Sequence, residues 1–183
     1  MLFRSIDGAQ STGKTTLFNH LRQQFADLAT FIPEASRTVA ERFGVHTMGD
    51  WPRLLADAQQ LQRFFEAEES WQKTAESQSS TFIADSSLHL IQAYRQYFGA
   101  AARSDATKPR YDLILYCPAT TGGVGDNFRF LQGRADIDRI CRGILSRDHD
   151  GQLLELPVNL SRLSQAEHLV GDLLRLRGKD SRR

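Results

Sequence analysis

Eight residues near the start of the chain, Gly8-Ala9-Gln10-Ser11-Thr12-Gly13-Lys14-Thr15, fit the pattern Gly-x-x-x-x-Gly-Lys-[Ser/Thr] without a mismatch. Their setting is what constrains the fold. Leu2 to Asp7, just before, is short and apolar-rich and reads as a strand. Lys14 to Ala26, just after, carries Leu17, Leu21 and Phe25 at helical spacing. Strand, glycine-rich loop and helix in that order make a P-loop. Gly8 and Gly13 let the backbone wrap with its N–H groups inward. The start of the helix adds its positive end. Lys14 is expected to reach the β- and γ-phosphates of a nucleoside triphosphate, and Thr15 to offer its hydroxyl to Mg²⁺. Ala9, Gln10, Ser11, Thr12 and Thr16 complete the cradle. The bland alternative, a glycine-rich turn with an incidental lysine, leaves the flanking strand and helix unexplained.

The rest of the chain alternates in the same way. Thr30–Ile32 reads as a second strand, stopped by Pro33, and Arg37–Phe43 as a short helix ended by Gly44. From Trp51 to about Ala75, Leu54, Leu55, Ala58, Leu61, Phe65, Glu68 and Trp71 recur at three and four, which predicts one long amphipathic helix. Thr81–Ala84 is a third strand, followed by Asp85, and Ser87–Tyr97 a helix closed by Gly99. Arg103–Pro109 is polar and reads as a surface loop. Tyr111–Tyr116 has a continuously apolar centre, as a parallel strand covered on both faces requires. Ala135–Leu145 is helical, Gln152–Leu156 is a fifth strand, and Ser161 is expected to cap a last helix to about Arg177. The pattern predicts an α/β fold, a three-layer P-loop NTPase sandwich with a five-stranded, mostly parallel sheet. With 183 residues and no repeat or linker, one domain over 1–183 is expected, with an acceptor-side helical region at about 36–76 and a lid at about 120–135.

Charge and cysteine usage exclude little. The formal net charge is +1, so no global field steers the chain to nucleic acid or membrane. Arg175, Arg177, Lys179, Arg182 and Arg183 crowd the end against Asp180, either as a solvated terminus or as a phosphate-contacting arm. Cys117 and Cys141 read as reduced thiols of a cytoplasmic protein, since neither stands at metal-ligand spacing and no export signal precedes the first strand. No apolar run approaches membrane-spanning length.

A P-loop does not name a reaction. No Asn is followed by Lys, which removes the guanine-reading motif of GTPases. The length leaves no room for the helical lid domain of AAA-type motors. A small-molecule or polynucleotide kinase fits the size. Asp85, ending an apolar strand, has the form of a metal-side Walker B carboxylate, though Asp in that place also caps helices. Glu34 follows the second strand at the carboxyl edge of the sheet, where ligands bind, and Arg37 stands one helical turn on. Glu34 suits a base or orienter for an acceptor hydroxyl, and Arg37 a phosphate contact; a Glu favoured by the helix dipole beside a surface Arg is the plainer alternative. Asp7 is a second carboxylate candidate, equally able to bond the loop backbone. Gly122 to Arg134 is glycine-rich and basic, and reads as a cover placing Arg129 or Arg134 against the transferring phosphoryl group, or else as a disordered loop. His46, Trp51, Arg53, Gln59, Gln62, Arg63 and Trp71 lie between the second and third strands, the region that in kinases of similar architecture forms the acceptor side; Trp51 or Phe64 suits stacking on a base, and Trp71 suits the core.

The set Gly-Ala-Gln-Ser-Thr-Gly-Lys-Thr-Thr-Leu, Glu-Ala-Ser-Arg, Phe-Ile-Ala-Asp-Ser-Ser-Leu-His, Tyr-Asp-Leu-Ile-Leu-Tyr and Gly-Asp-Asn-Phe-Arg-Phe resembles the NadR-like P-loop kinases over nearly the whole chain. That group includes the nicotinamide riboside kinase-like AAA domains and many phage and bacterial proteins. The family often carries Asp-Gly-x-Arg in its lid; here Asp126-Asn127-Phe128-Arg129 has Asn for Gly. The match implies Arg129 as a lid arginine and Arg134 as a second. In the similar polynucleotide kinases a carboxylate-x-x-Arg orients the acceptor hydroxyl, and Glu34 and Arg37 match that spacing. The resemblance therefore implies an ATP- and Mg²⁺-dependent kinase with catalytic Lys14, Glu34, Arg37, Asp85, Arg129 and Arg134, and with Thr15 and Asp85 on the metal. Its acceptor would be nucleoside-like, free or, as in phage DNA modification, a hydroxymethylated base such as 5-hydroxymethyluridine in DNA. The compartment would be cytoplasm, that of a host if phage-encoded. A regulatory or assembly ATPase is the reading from another class. The oligomeric state is left open.

Overall fold

The computed structural model describes residues 2–101, 110–119, 133–159 and 161–180. The elements run β1 (Leu2–Asp7), α1 (Lys14–Phe25), β2 (Thr30–Ile32), α2 (Ala35–Arg42), a 3₁₀ turn (Met48–Asp50), α3 (Trp51–Ala56), α4 (Ala58–Ser77), β3 (Thr81–Ala84), α5 (Leu88–Tyr97), β4 (Leu113–Tyr116), α6 (Arg134–Asp148), β5 (Gln152–Glu155) and α7 (Ser161–Asp180). The strands form one sheet in the order β2-β3-β1-β4-β5, and every neighbouring pair is parallel. The expected mostly parallel sheet is thus parallel throughout its described strands.

Parallel strands need crossovers, and the crossovers cover both faces. Side chains alternate between the two layers with the period of two that a pleated strand imposes. Phe82, Ala84, Ile114 and Tyr116 pack with Leu90, Ala93, Ile137, Cys141 and Ile144 of α5 and α6. Ile6, Ile83, Leu113 and Leu115 pack with Leu17, Leu21, Phe25, Ala166 and Val170 of α1 and α7. A third cluster lies beside the sheet. Val39, Trp51, Leu54, Leu61, Phe64 and Phe65 of α2, α3 and α4 meet Leu88 and Ile91 of α5. That cluster builds the wall beyond the carboxyl ends of β2 and β3.

Two expectations need correction. The single helix predicted from Trp51 is two helices, broken at Asp57, whose backbone is extended (φ −107°, ψ 99°). Its carboxylate accepts from the backbone N–H groups of Gln59 and Gln60, each at 3.0 Å, and from the Gln60 side chain. Asp-x-x-Gln is a helix start, and capping outweighs the uninterrupted apolar period. Ser161, expected as a cap, is the first helical residue of α7; Asn159 supplies the side-chain oxygen, accepting from the Ser161 N–H at 3.1 Å. Elsewhere the shifts are small: Ser87 caps α5, accepting from the Leu90 N–H, instead of opening it. The segment expected as a lid, through residue 132 and with Arg129, the whole polar loop expected at Arg103–Pro109, and Arg182 and Arg183 lie outside the described residues.

The wall formed by the third cluster is locked by a buried ion pair. Arg95 of α5 meets Glu69 of α4 at 2.8 Å, with the side chains only 3% and 4% exposed. Arg95 Nε also donates to the Ala101 carbonyl at 2.6 Å. Removing one partner would strand the other charge in a dry interface. Glu69→Ala is therefore expected to lower unfolding stability by about 3–5 kcal/mol in urea titrations. Replacing both residues with apolar side chains should cost far less.

Candidate active site

The loop from Gly8 to Gly13 turns where β1 ends and α1 begins. Its shape needs positive φ at Gly8 (137°), Ser11 (57°) and Gly13 (87°). A Cβ on Gly8 would stand 2.1 Å from the Cys117 carbonyl oxygen, so the first glycine is fixed by packing as well as by conformation. Thr12 Oγ donates to the Ala9 carbonyl at 2.9 Å, and Lys14 Nζ donates to the same carbonyl at 3.0 Å. Lys14 is thus folded over the loop at the N-terminus of α1, where helix dipole and ammonium both favour an anion. Thr15 is half-buried beside it and Thr16 faces solvent.

Parallel register brings the other carboxylates to the same edge. Ser5 of β1 pairs with Ala84 of β3, so Asp85 emerges beside the start of the loop. Asp85 is 3% exposed, and its N–H donates to the Ile32 carbonyl at 2.9 Å. Asp7 serves a different purpose. It is fully buried and accepts from Ser5 Oγ at 2.8 Å, from the Ser87 N–H at 2.9 Å and from Ser87 Oγ. Burial pushes its carboxyl up from the usual range, against the hydrogen bonds and the Lys14 charge. Asp7 is a tie between β1 and the head of α5.

Beyond Asp85 the chain turns through Ser86, whose φ of 131° is strained for a residue with a side chain. Ser86 stands in the wall of a pocket. The aromatic and aliphatic walls are Trp51, Phe64, Phe65, Leu90, Ile91, Tyr94 and Phe98. The polar groups are Gln10, Glu34, Ser36, Glu68 and Ser86. Gln10 belongs to the P-loop, and its side-chain oxygen accepts from Tyr94 OH at 2.8 Å. P-loop and pocket are therefore in contact. Glu34 sits at the start of α2, makes no side-chain cap bond there, and faces Arg37 at 3.8 Å. Arg37 itself is about half exposed and is not among the residues that line the pocket.

Glu68 is buried in this pocket wall. Burial, with the charges of Glu34 and Glu69, raises its carboxyl to about 8. Arg134 opens α6 after Gly133, which holds a left-handed conformation (φ 81°). Its side chain is nearly enclosed, at 8% exposure, and among the described residues Nε and Nη2 find no acceptor. The end of β4 is pinned to the same helix: the Ala119 N–H and Tyr116 OH both donate to Asp138 of α6, at 3.0 and 2.9 Å.

Of the acceptor-side residues singled out in the sequence, Trp51 and Phe64 line the pocket. His46, Arg53, Gln59 and Arg63 are exposed, Gln62 bonds Glu66, and Trp71 packs into the core. Two residues escaped sequence reasoning, and a third was expected only in the phosphate cradle. Glu68 stands on the apolar stripe of its helix, and an acid in a buried register is the signal. Gln10, expected in the cradle, occupies a free position of the loop pattern, which gave no signal of its place in the pocket wall. Arg162, in the first turn of α7, donates from Nη1 to the Thr12 carbonyl at 2.8 Å and covers Gly13.

Glu68 has a measurable signature. Folded, it holds its proton to about pH 8; unfolded, it releases it near 4.5. Stability is thus favoured at low pH and lost as pH rises through that window. Glu68→Gln, which does not titrate, is expected to gain on the parent from pH 4.5 to 8 and then hold a constant advantage. Thermal unfolding across that range measures it.

Mg²⁺ takes oxygen ligands, with one or two from protein and the rest from phosphates and water. Thr15 and Asp85 offer a hydroxyl and a carboxylate of that kind at the loop edge, so the donor set fits. Among the described residues no group of three or more His, Cys, Asp or Glu is gathered around one point. None of their helices is long and apolar enough to cross a membrane.

The fold has solved counterparts. NadR in complex with NR superposes with a TM-score of 0.63 at 21% identity, over 93% of this chain and 51% of that one. The chain thus spans about half the length of that protein. Deoxyadenosine kinase from M.mycoides, with the products dCMP and a flexible dCDP bound, superposes with a TM-score of 0.62 at 11% identity, over 94% of this chain and 98% of that one. No curated protein matches the sequence. The AAA-domain family AAA_28 matches residues 5–161, from within the first strand to the first residue of α7, and the chain belongs to that family.

Proposed function

We propose that the protein is an ATP- and Mg²⁺-dependent kinase that transfers the γ-phosphoryl group to a hydroxyl of a nucleoside-like acceptor. The observation that carries this is the aromatic pocket lying against the P-loop, with Gln10 shared between the two and Glu34 in its wall. A nucleotide-hydrolysing regulator does not require such a pocket. The same architecture in NadR with NR and in a deoxyadenosine kinase with its products bound supports the reading.

In this scheme Lys14 and the loop N–H groups hold the donor phosphates, and Arg134 meets the charge of the transferring group. Arg129, by the family resemblance, joins it from the lid. Mg²⁺, held by Thr15 and Asp85, would neutralise charge on the β- and γ-phosphates. Glu34 takes or orients the acceptor proton as the hydroxyl oxygen bonds to the γ-phosphorus. The bond to the β,γ-bridging oxygen breaks, and ADP leaves. Arg37 pairs with Glu34 or with an acceptor phosphate.

A nucleoside in solution and a base flipped from DNA both present a flat ring, so the acceptor is taken as free or within DNA, 5-hydroxymethyluridine included. Phosphate transfer from γ-labelled ATP to nucleosides, nucleotides and hydroxymethylated DNA tests the reading. Label on an acceptor supports it, and steady hydrolysis indifferent to every acceptor defeats it in favour of a regulatory or assembly ATPase. Lys14→Ala and Glu34→Gln should each lower acceptor phosphorylation by about 100-fold or more, Glu34→Gln with donor binding retained. Unchanged turnover in Glu34→Gln would remove that residue's role.

A further inference from the structure

Glu68 is a carboxyl group with no evident structural duty. Its neighbour on α4, Glu69, holds Arg95, so the buried cation of this wall is already engaged. Glu68 is 6% exposed and lines the pocket between Phe64 and Phe65 on its own helix and Leu90, Ile91 and Tyr94 on α5. Aromatic walls take any flat ring. They do not choose between rings. Choice in an apolar slot comes from the few polar groups aimed into it, because a ligand that leaves them unpaired loses heavily.

We propose that Glu68 is the specificity-determining residue of the acceptor pocket, pairing its carboxyl group with the edge of an uncharged nucleobase that presents a carbonyl beside an N–H. The inference rests on the kinase reading above and names its acceptor class. A carboxylic acid that keeps its proton offers one O–H donor and one carbonyl acceptor side by side. That is the complement of a lactam edge, as in uracil, thymine or guanine. Burial beside Glu34 and Glu69 keeps the proton on Glu68 to about pH 8. The charged and titratable groups around it are Glu34 with Arg37 from α2, Glu69 on its own helix, and Arg95 and Tyr94 from α5. An ionised Glu68 would instead favour a cationic ring such as the pyridinium of nicotinamide riboside.

The test measures labelled phosphate transfer by the full chain to uridine, thymidine, guanosine, cytidine and nicotinamide riboside, from pH 6.5 to 9. Parent, Glu68→Gln and Glu68→Leu are compared. The parent should prefer a lactam-edged nucleoside, with its KM rising as pH passes about 8. Glu68→Gln, a neutral donor and acceptor of the same shape, should retain that preference without the alkaline rise. Glu68→Leu should lose about 10- to 100-fold in kcat/KM for that nucleoside, mostly through KM. Both variants should unfold no earlier than the parent, because each removes a buried acid. If the parent transfers phosphate but Glu68→Leu matches it, the inference fails and the kinase reading stands. The inference also fails if the parent prefers nicotinamide riboside and Glu68→Gln abolishes that preference. If no nucleoside is labelled by any form, the inference fails, and the kinase reading falls with it only if nucleotides and hydroxymethylated DNA are not labelled either.

Discussion

Asp7 is the constraint on which the two halves of the site depend. It ends the central strand, and its side chain is saturated by Ser5 and by both the N–H and hydroxyl of Ser87. Its carbonyl accepts from the Cys117 N–H at 2.7 Å. One residue thus joins the root of the P-loop, the head of α5 and the end of β4. α5 then carries Leu90, Ile91, Tyr94 and Phe98 into the pocket. Any displacement of the loop relative to the pocket wall has to break hydrogen bonds in a fully buried place, where they are hard to replace. The Gln10–Tyr94 bond repeats the connection at the surface of the pocket.

The sheet and the loop were legible because they rest on local rules. β1, β2 and β3 end where an apolar run meets Asp7, Pro33 and Asp85. The P-loop is a backbone device, so its pattern is nearly a description of its shape. The break at Asp57 was harder to read. Leucine spacing continues across it, and the decisive term is a carboxylate accepting two backbone N–H groups, a short-range competition that a periodic count does not weigh. The displacement of the α7 cap from Ser161 to Asn159 has the same origin.

The pocket was legible only in part, for a different reason. Trp51 and Phe64 can be named as ring-stacking candidates from residue type. Which other side chains join them depends on how α4 and α5 pack, and that is set by long-range contacts such as Glu69 with Arg95. Leu90 and Ile91 look like ordinary core residues, and most of their surface is core. Gln10 is a variable position in a motif whose fixed positions draw attention. Its side chain matters because α5, and not the loop itself, supplies its partner Tyr94.

Glu68 and Asp7 show how one physical effect has two uses. Both are buried carboxyl groups whose protons are held more tightly than in water. Asp7 meets three donors, and its role ends in those bonds. Glu68 lines an aromatic pocket, so its hydrogen-bonding capacity is offered to whatever enters. A protein under selection for stability alone would place leucine there, because a buried acid costs free energy that leucine does not. An acid kept at that position, one residue from an acid already neutralised by arginine, is better explained by what the pocket must recognise than by how the helix packs.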